Sequence, residues 1–220
     1  MNKKWEVNKR EETKIQQVAQ ENNISPLLAS ILVNRNIVNK EKVQLFLNPT
    51  RNDFHNPFLM PDMKQAVDRI LKAIEEKEKV IIYGDYDVDG ITSITVLKKF
   101  LAERGLEVGA YMPNRLEEGY GLNKKAIEQI AEQNYTLMVT VDCGISGNEE
   151  IEYAKQLGIE VIVTDHHEPG EQIPNCLAVV DAKRKDNIYP CRDLAGVGVV
   201  FKLIQALRNK IRTRRKRISK

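Results

Sequence analysis

Between Asp62 and Leu207 this chain alternates short apolar runs with helical patterns, without an internal sequence repeat. The runs are Val80-Ile81-Ile82-Tyr83, Leu106 to Met112, Leu137 to Val141, Ile159 to Val163 and Leu177 to Val180. Each suits a strand buried on both faces. Asp62 is placed to cap a helix whose apolar positions Met63, Ala66, Val67, Ile70, Leu71 and Ile74 recur at three and four. Further helices are expected from about Thr92 to Arg104, from Asn123, from Ser146 or Asn148 to near Gly158, and from Val197 to Leu207. Strands separated by helices of this length form right-handed crossovers in a parallel sheet. The expected fold class is therefore α/β: a parallel-sheet domain over 61–207 with helices on both faces.

A small helical extension is expected over 1–60, packed on that domain. Glu11 to Gln20 is polar and helical in pattern, Ser25-Pro26 starts a second helix, and Asn48-Pro49 and Asn56-Pro57 break the chain. The formal net charge of +3, from 34 basic and 31 acidic residues, hides a split. From Arg208 to Lys220 the chain carries eight basic residues and no acid. The body is therefore mildly acidic, which excludes nucleic-acid binding through bulk positive charge but leaves room for a local basic groove. The segment 208–220 reads as a disordered basic tail. The three cysteines, Cys143, Cys176 and Cys191, are odd in number and include no CxxC pair, so neither a disulfide framework nor a zinc site is supported. The opening Met1-Asn2-Lys3-Lys4-Trp5-Glu6 has no apolar signal core, and no apolar run approaches the ~20 residues a membrane helix needs. The expectation is a reduced, cytoplasmic protein with no membrane partner.

The chemistry lies at the strand ends. Asp85, Asp87 and Asp89 follow the first strand, Asp142 the third, Asp165-His166-His167 the fourth and Asp181 the fifth. Parallel strands bring their carboxyl ends to one edge, where open α/β sheets bind ligands. Gathered carboxylates repel one another, and a divalent cation relieves that repulsion. Carboxylates with imidazole and no thiolate suit Mn²⁺ or Mg²⁺, and two such ions would clamp a phosphoryl group. Asp85 to Gly90 also resembles the start of an EF-hand loop. A strand rather than a helix precedes it, and Val96 stands where the bidentate Glu belongs, so that reading is rejected. A haloacid-dehalogenase-type phosphatase remains a rival, but gives His166-His167 no role.

Three segments together resemble the DHH phosphoesterase family, in its single-stranded-DNA exonuclease branch: Tyr83-Gly84-Asp85-Tyr86-Asp87-Val88-Asp89-Gly90, Val139-Thr140-Val141-Asp142-Cys143-Gly144, and Val163-Thr164-Asp165-His166-His167. Met112-Pro113-Asn114-Arg115, Glu118-Gly119-Tyr120-Gly121-Leu122 and Leu194-Ala195-Gly196-Val197-Gly198 fit as well. The resemblance implies a DHH-type domain that hydrolyses single-stranded DNA from the 5′ end, in repair and recombination, with two Mn²⁺ or Mg²⁺ ions. It implies Asp85, Asp87, Asp142 and His166 as metal ligands. His167 would contact the scissile phosphate or leaving group, Asp89 would orient the first loop, and Asp165 would orient the histidine pair. Arg115 would hold a phosphate or, equally, pair with Glu117 or Glu118. Tyr120 is read as packing or as a surface for a base.

A further metal-binding Asp and the second domain of that branch find no match here, so the resemblance implies an N-terminal catalytic half. A second polypeptide is one way to complete it. Two alternatives stay open: a DHH phosphoesterase acting on short oligonucleotides or dinucleotides, and a non-catalytic DNA- or partner-binding remnant.

Overall fold

The computed structural model describes residues 11–114 and 118–218, with side chains described as far as Arg214. The chain divides into two compact units at Phe54. In the first, α1 (Glu12–Asn22), α2 (Pro26–Asn34) and α3 (Lys40–Leu47) enclose a small core of Ile15, Val18, Ala29, Leu32, Val33 and Val43. The Ser25 side chain accepts the Leu28 amide and Pro26 follows at the first helical position, as the Ser-Pro pair predicts. The unit ends earlier than the expected boundary at residue 60. Beyond it, Pro57 and Met60 are buried, and Met60 belongs to the core of the second unit.

The second unit contains α4 (Met63–Glu76), β1 (Lys79–Gly84), α5 (Val88–Ala102), β2 (Glu107–Tyr111), α6 (Lys124–Glu132), β3 (Leu137–Val141), α7 (Asn148–Gln156), β4 (Glu160–Thr164), β5 (Ala178–Val180) and α8 (Gly196–Ile218). The five strands are all parallel, in the order β2-β1-β3-β4-β5. Alternate strand residues serve two cores. Val80, Ile82, Val139 and Ile162 pack with α4, α5 and α8, whereas Ile81, Met138, Val161 and Val163 pack with α6 and α7. Burial on both faces explains why β1, β3, β4 and β5 read as apolar runs; the edge strand β2, expected to be buried as well, is only partly covered. From β1 the chain runs outward to β2, and from β3 it runs the other way to β4. The strand order therefore reverses between β1 and β3, the place where such sheets open a crevice.

Several expectations need correction. Asp62 stands at the start of α4 but caps nothing: its φ is 53° and its carboxylate accepts instead from the Val179 amide and from Arg184. Helix α5 begins at Val88, not Thr92, so Asp89 lies in its first turn. The segment after Leu207 is not a disordered tail, for α8 continues through Ile218. Acids on α4 meet its basic residues, with Lys210 Nζ 3.7 Å from Asp68 and Arg214 paired with Glu75, while Ile211 packs on the core. Among the described residues no helix is long and apolar enough to cross a membrane.

Candidate metal centre

Each acid reaches the crevice through a local device. Asp87 is the residue before α5, and its carboxylate accepts the Gly90 amide at 2.9 Å. That bond, from a helix N-terminus, holds Asp87 below the usual carboxylate range. Gly90 is required by space: a Cβ there would meet the Asp85 carbonyl oxygen at 2.2 Å. Asp85 is buried, with Oδ1 accepting the Tyr86 amide at 2.7 Å. Asp142 follows the last residue of β3 with φ at 60°, in the left-handed region that Asp tolerates better than most residues. The turn closes behind it through Thr140 Oγ1, which donates to the Cys143 carbonyl at 2.8 Å.

These devices bring oxygens of Asp85, Asp87 and Asp142 within 4.8 Å of one another. On the other side, Asp142, His166 and His167 offer atoms within the same spacing. His166 Nε2 lies 3.0 Å from Asp142 Oδ1 and 3.9 Å from Asp89 Oδ2. Close as it is to that ring, the buried Oδ1 of Asp142 makes no hydrogen bond. Burial, and then the charges of Asp89 and Asp87, push the Asp142 carboxyl up to about 8. A buried acceptor without a donor, in a cluster that resists its own ionisation, fits a missing positive charge. Three carboxylates with an imidazole and no thiolate match a hard divalent cation such as Mn²⁺ or Mg²⁺. Cys143 is buried against the Tyr83 carbonyl and is in neither ligand group, which agrees with a space-filling role.

Asp165 is an organiser. Its Oδ1 accepts the amides of His166 and His167 and contacts His167 Nδ1 at 2.7 Å, while Oδ2 accepts the Ile145 amide. Burial works to raise this carboxyl, but the His167 ring and the amides outweigh it, and the net direction is down. The same bond raises His167 above the usual imidazole value. With Nδ1 committed, Nε2 is the ring's remaining polar atom. Asp165 thus orients His167 directly and His166 only through its backbone.

Asp89 does not hold its own loop, as expected of it, but the start of α8. Its carboxylate accepts the Gly196 amide at 2.8 Å and the Val197 amide at 3.0 Å. This presses Gly196 onto Asp142, where a Cβ would meet Oδ1 at 2.3 Å. Gly198 has ordinary clearance from Leu194 and only continues the helix. Asp181, expected in the crevice, is in neither ligand group. It is fully buried, its Oδ1 accepts the Lys183 amide, its Oδ2 has no partner, and burial lifts it to about 7. Arg115 lies outside the described residues. Tyr120, whose sequence context reads as packing or as a surface for a base, places its hydroxyl 3.4 Å from His167 Nδ1 and 3.5 Å from the Asp142 carbonyl.

Residues 79–220 match the model of the DHH family, N-terminal domain. The chain is 45% identical to the single-stranded-DNA-specific exonuclease RecJ of Bacillus subtilis over 204 residues, which cover 93% of this chain and 26% of that protein. It is 41% identical to RecJ of Escherichia coli over 68% of this chain and 26% of that one. The chain thus spans about a quarter of the length of these curated relatives. A crystal structure of exonuclease RecJ bound to manganese superposes with a TM-score of 0.62 at 36% identity, covering 69% of this chain and 38% of that one. RecJ of Thermus thermophilus in complex with Mn²⁺ gives 0.68 at 27% identity, covering 90% and 27%.

Proposed function

This chain belongs to the DHH family, and on that premise we propose that it is the catalytic portion of a single-stranded-DNA exonuclease that removes nucleotides from the 5′ end. The observation that carries the reading is the convergence of Asp85, Asp87, Asp142 and His166 at the strand-order reversal, with Asp142 Oδ1 left without a hydrogen bond. In this reading those four residues hold Mn²⁺ or Mg²⁺. Such a cation supplies Lewis acidity toward a phosphoryl oxygen and makes water a better nucleophile near neutral pH.

The chain's own residues do the rest. The Gly90 amide fixes the Asp87 carboxylate, and the Asp89 clamp fixes α8 against Asp142, so the donors are held before substrate arrives. His167, held by Asp165 at Nδ1, presents Nε2 to a phosphate oxygen or to the leaving oxygen. Arg115, if its fork reaches the substrate, adds a phosphate contact. The relatives' greater length supports a further polypeptide segment, in the same protein or a partner, as the far wall of a DNA cleft.

The test is degradation of 5′-labelled single-stranded DNA by this chain in Mn²⁺, beside Asp87→Ala and His166→Ala. Each substitution is expected to abolish activity, because losing a ligand misplaces the reacting water. Activity retained in both variants would refute the assignment.

A further inference from the structure

A cavity of about 400 Å³ adjoins the metal centre and shares His167 and Asp165 with it. Its other lining includes Tyr120, Leu122, Ser146, Gly147 and Glu150. We propose that this cavity binds the nucleoside part, base and sugar, of the nucleotide whose 5′-phosphate lies at the metal centre. The proposal rests on the phosphodiesterase reading above and names what that site grips beyond the phosphate.

Size and chemistry both point that way. The volume lies in the range of small-molecule pockets, about 300–1,000 Å³. Tyr120 is 56% exposed, an aromatic face left open to solvent. It is nevertheless held in place, because its loop is fastened on both sides. Tyr83 donates to the Gly121 carbonyl at 3.0 Å, Asn123 donates to the Tyr83 hydroxyl at 3.2 Å, and Glu118 accepts from Tyr111 and from the Asn114 amide. A ring already ordered by its neighbours loses little entropy when a base stacks on it. The opposite lining comes from the turn into α7. There the Ser146 and Glu150 side chains make no hydrogen bond or ion pair among the described residues, and both line the cavity.

Charge decides which end of a nucleotide enters. The Glu150 carboxylate repels a second phosphate but accepts from the exocyclic amine of adenine or cytosine. The phosphate therefore stays at the metal centre, and the uncharged nucleoside occupies the cavity. Adenine and cytosine nucleotides should bind more tightly than thymidine nucleotides, and Glu150→Gln should narrow that difference.

The test measures binding, not turnover. Deoxyadenosine 5′-monophosphate and deoxyribose 5-phosphate are titrated by calorimetry into the chain with saturating Mn²⁺, with Mn²⁺ binding measured separately. The wild type should bind the nucleotide about tenfold more tightly than the sugar phosphate, the lower end of base–aromatic stacking. Tyr120→Ala should close that gap. Tyr120→Phe, which keeps the ring and removes only the hydroxyl, should preserve it. Equal binding of the two ligands by the wild type, or a gap that survives Tyr120→Ala, overturns the nucleoside site and leaves the metal reading standing. Failure of Mn²⁺ itself to bind overturns both.

Discussion

At the N-terminal edge of the sheet, Arg69 of α4 is enclosed by carboxylates. Its two terminal nitrogens donate to Glu78 at 2.9 and 2.7 Å, and its Nε donates to Glu160 at 2.7 Å. Thr136 adds a bond to the same Glu78 carboxylate. At the C-terminal edge of the same strands, Asp85, Asp87 and Asp142 gather as closely, but there no lysine or arginine pairs with Asp87, Asp89 or Asp142 among the described residues. The first edge carries its own cation, a planar fork matched to a carboxylate. Around Asp87, Asp89 and Asp142 the second offers, among the described residues, histidines and backbone amides. Clustered acids therefore do not by themselves mark a metal centre. A buried carboxylate such as Asp142, with no lysine or arginine beside it among the described residues, does, and the contrast between the edges makes that distinction within one sheet.

Removing the internal cation should have the largest effect. Arg69→Met leaves Glu78, whose side chain is 15% exposed, without its charge partner. Breaking such a pair from one side costs about 3–5 kcal/mol, read by urea unfolding. A loss under about 1 kcal/mol, the range of an exposed pair, would erase the difference between the edges. The external cation should act next. At a hundred times its Kd, Mn²⁺ should stabilise the wild type by about 2.7 kcal/mol in thermal unfolding. Asp142→Ala should lose that gain and Asp181→Asn should keep it. Equal gains in the two variants would mean that the metal lies elsewhere.

Both the sheet and the acid cluster were legible because they rest on pattern. Two-sided burial writes continuous apolar runs such as Val80 to Tyr83, and parallel strands send their ends to one edge. The failures concern partners distant in sequence. Asp62 looks like a helix cap to any local rule, but Arg184 and the Val179 amide take its carboxylate. The basic segment looks disordered until Asp68 and Glu75 are seen alongside it. The bonds from Gly196 and Val197 to Asp89 span more than a hundred residues, so nothing near Asp89 announces them.

The pH dependence of the metal-free protein should show the two edges with opposite signs. Arg69, the main cause, lowers the Glu78 carboxyl below its ordinary 4.5. A group lowered by folding stabilises above its unfolded value, so this contribution is lost as pH falls through and below 4.5. Asp142 is raised from 3.8 to about 8, so the folded chain holds this proton more tightly than the unfolded chain does. Stability should therefore decline as pH rises from about 4 toward 8. Asp142→Asn should reduce that decline, to which Asp181 and His167 also contribute, and stabilise the metal-free protein at pH 8 by something on the order of 1–2 kcal/mol, after allowance for relaxation and water entry. Urea unfolding from pH 4 to 9 separates the two slopes. A stability that rises between pH 5 and 8 in the wild type would contradict the account of Asp142.

The smallest effect should distinguish the two acids around Arg69. Glu160 is the first residue of β4, and its side chain is 50% exposed. It offers Arg69 one bond, to Nε, whereas Glu78 takes both terminal nitrogens and is further tied by Thr136. Water can replace the Glu160 contact but has little access to the Glu78 one. Glu160→Gln keeps the shape and an acceptor oxygen, so its cost should stay within about 1 kcal/mol, as for an exposed pair. Glu78→Gln should cost clearly more, because the guanidinium then stays buried with only a half-exposed partner. Equal costs would show that Arg69 is held by total charge rather than by the matched fork. The N-terminal edge would then resemble its opposite, where charge is gathered without a paired geometry.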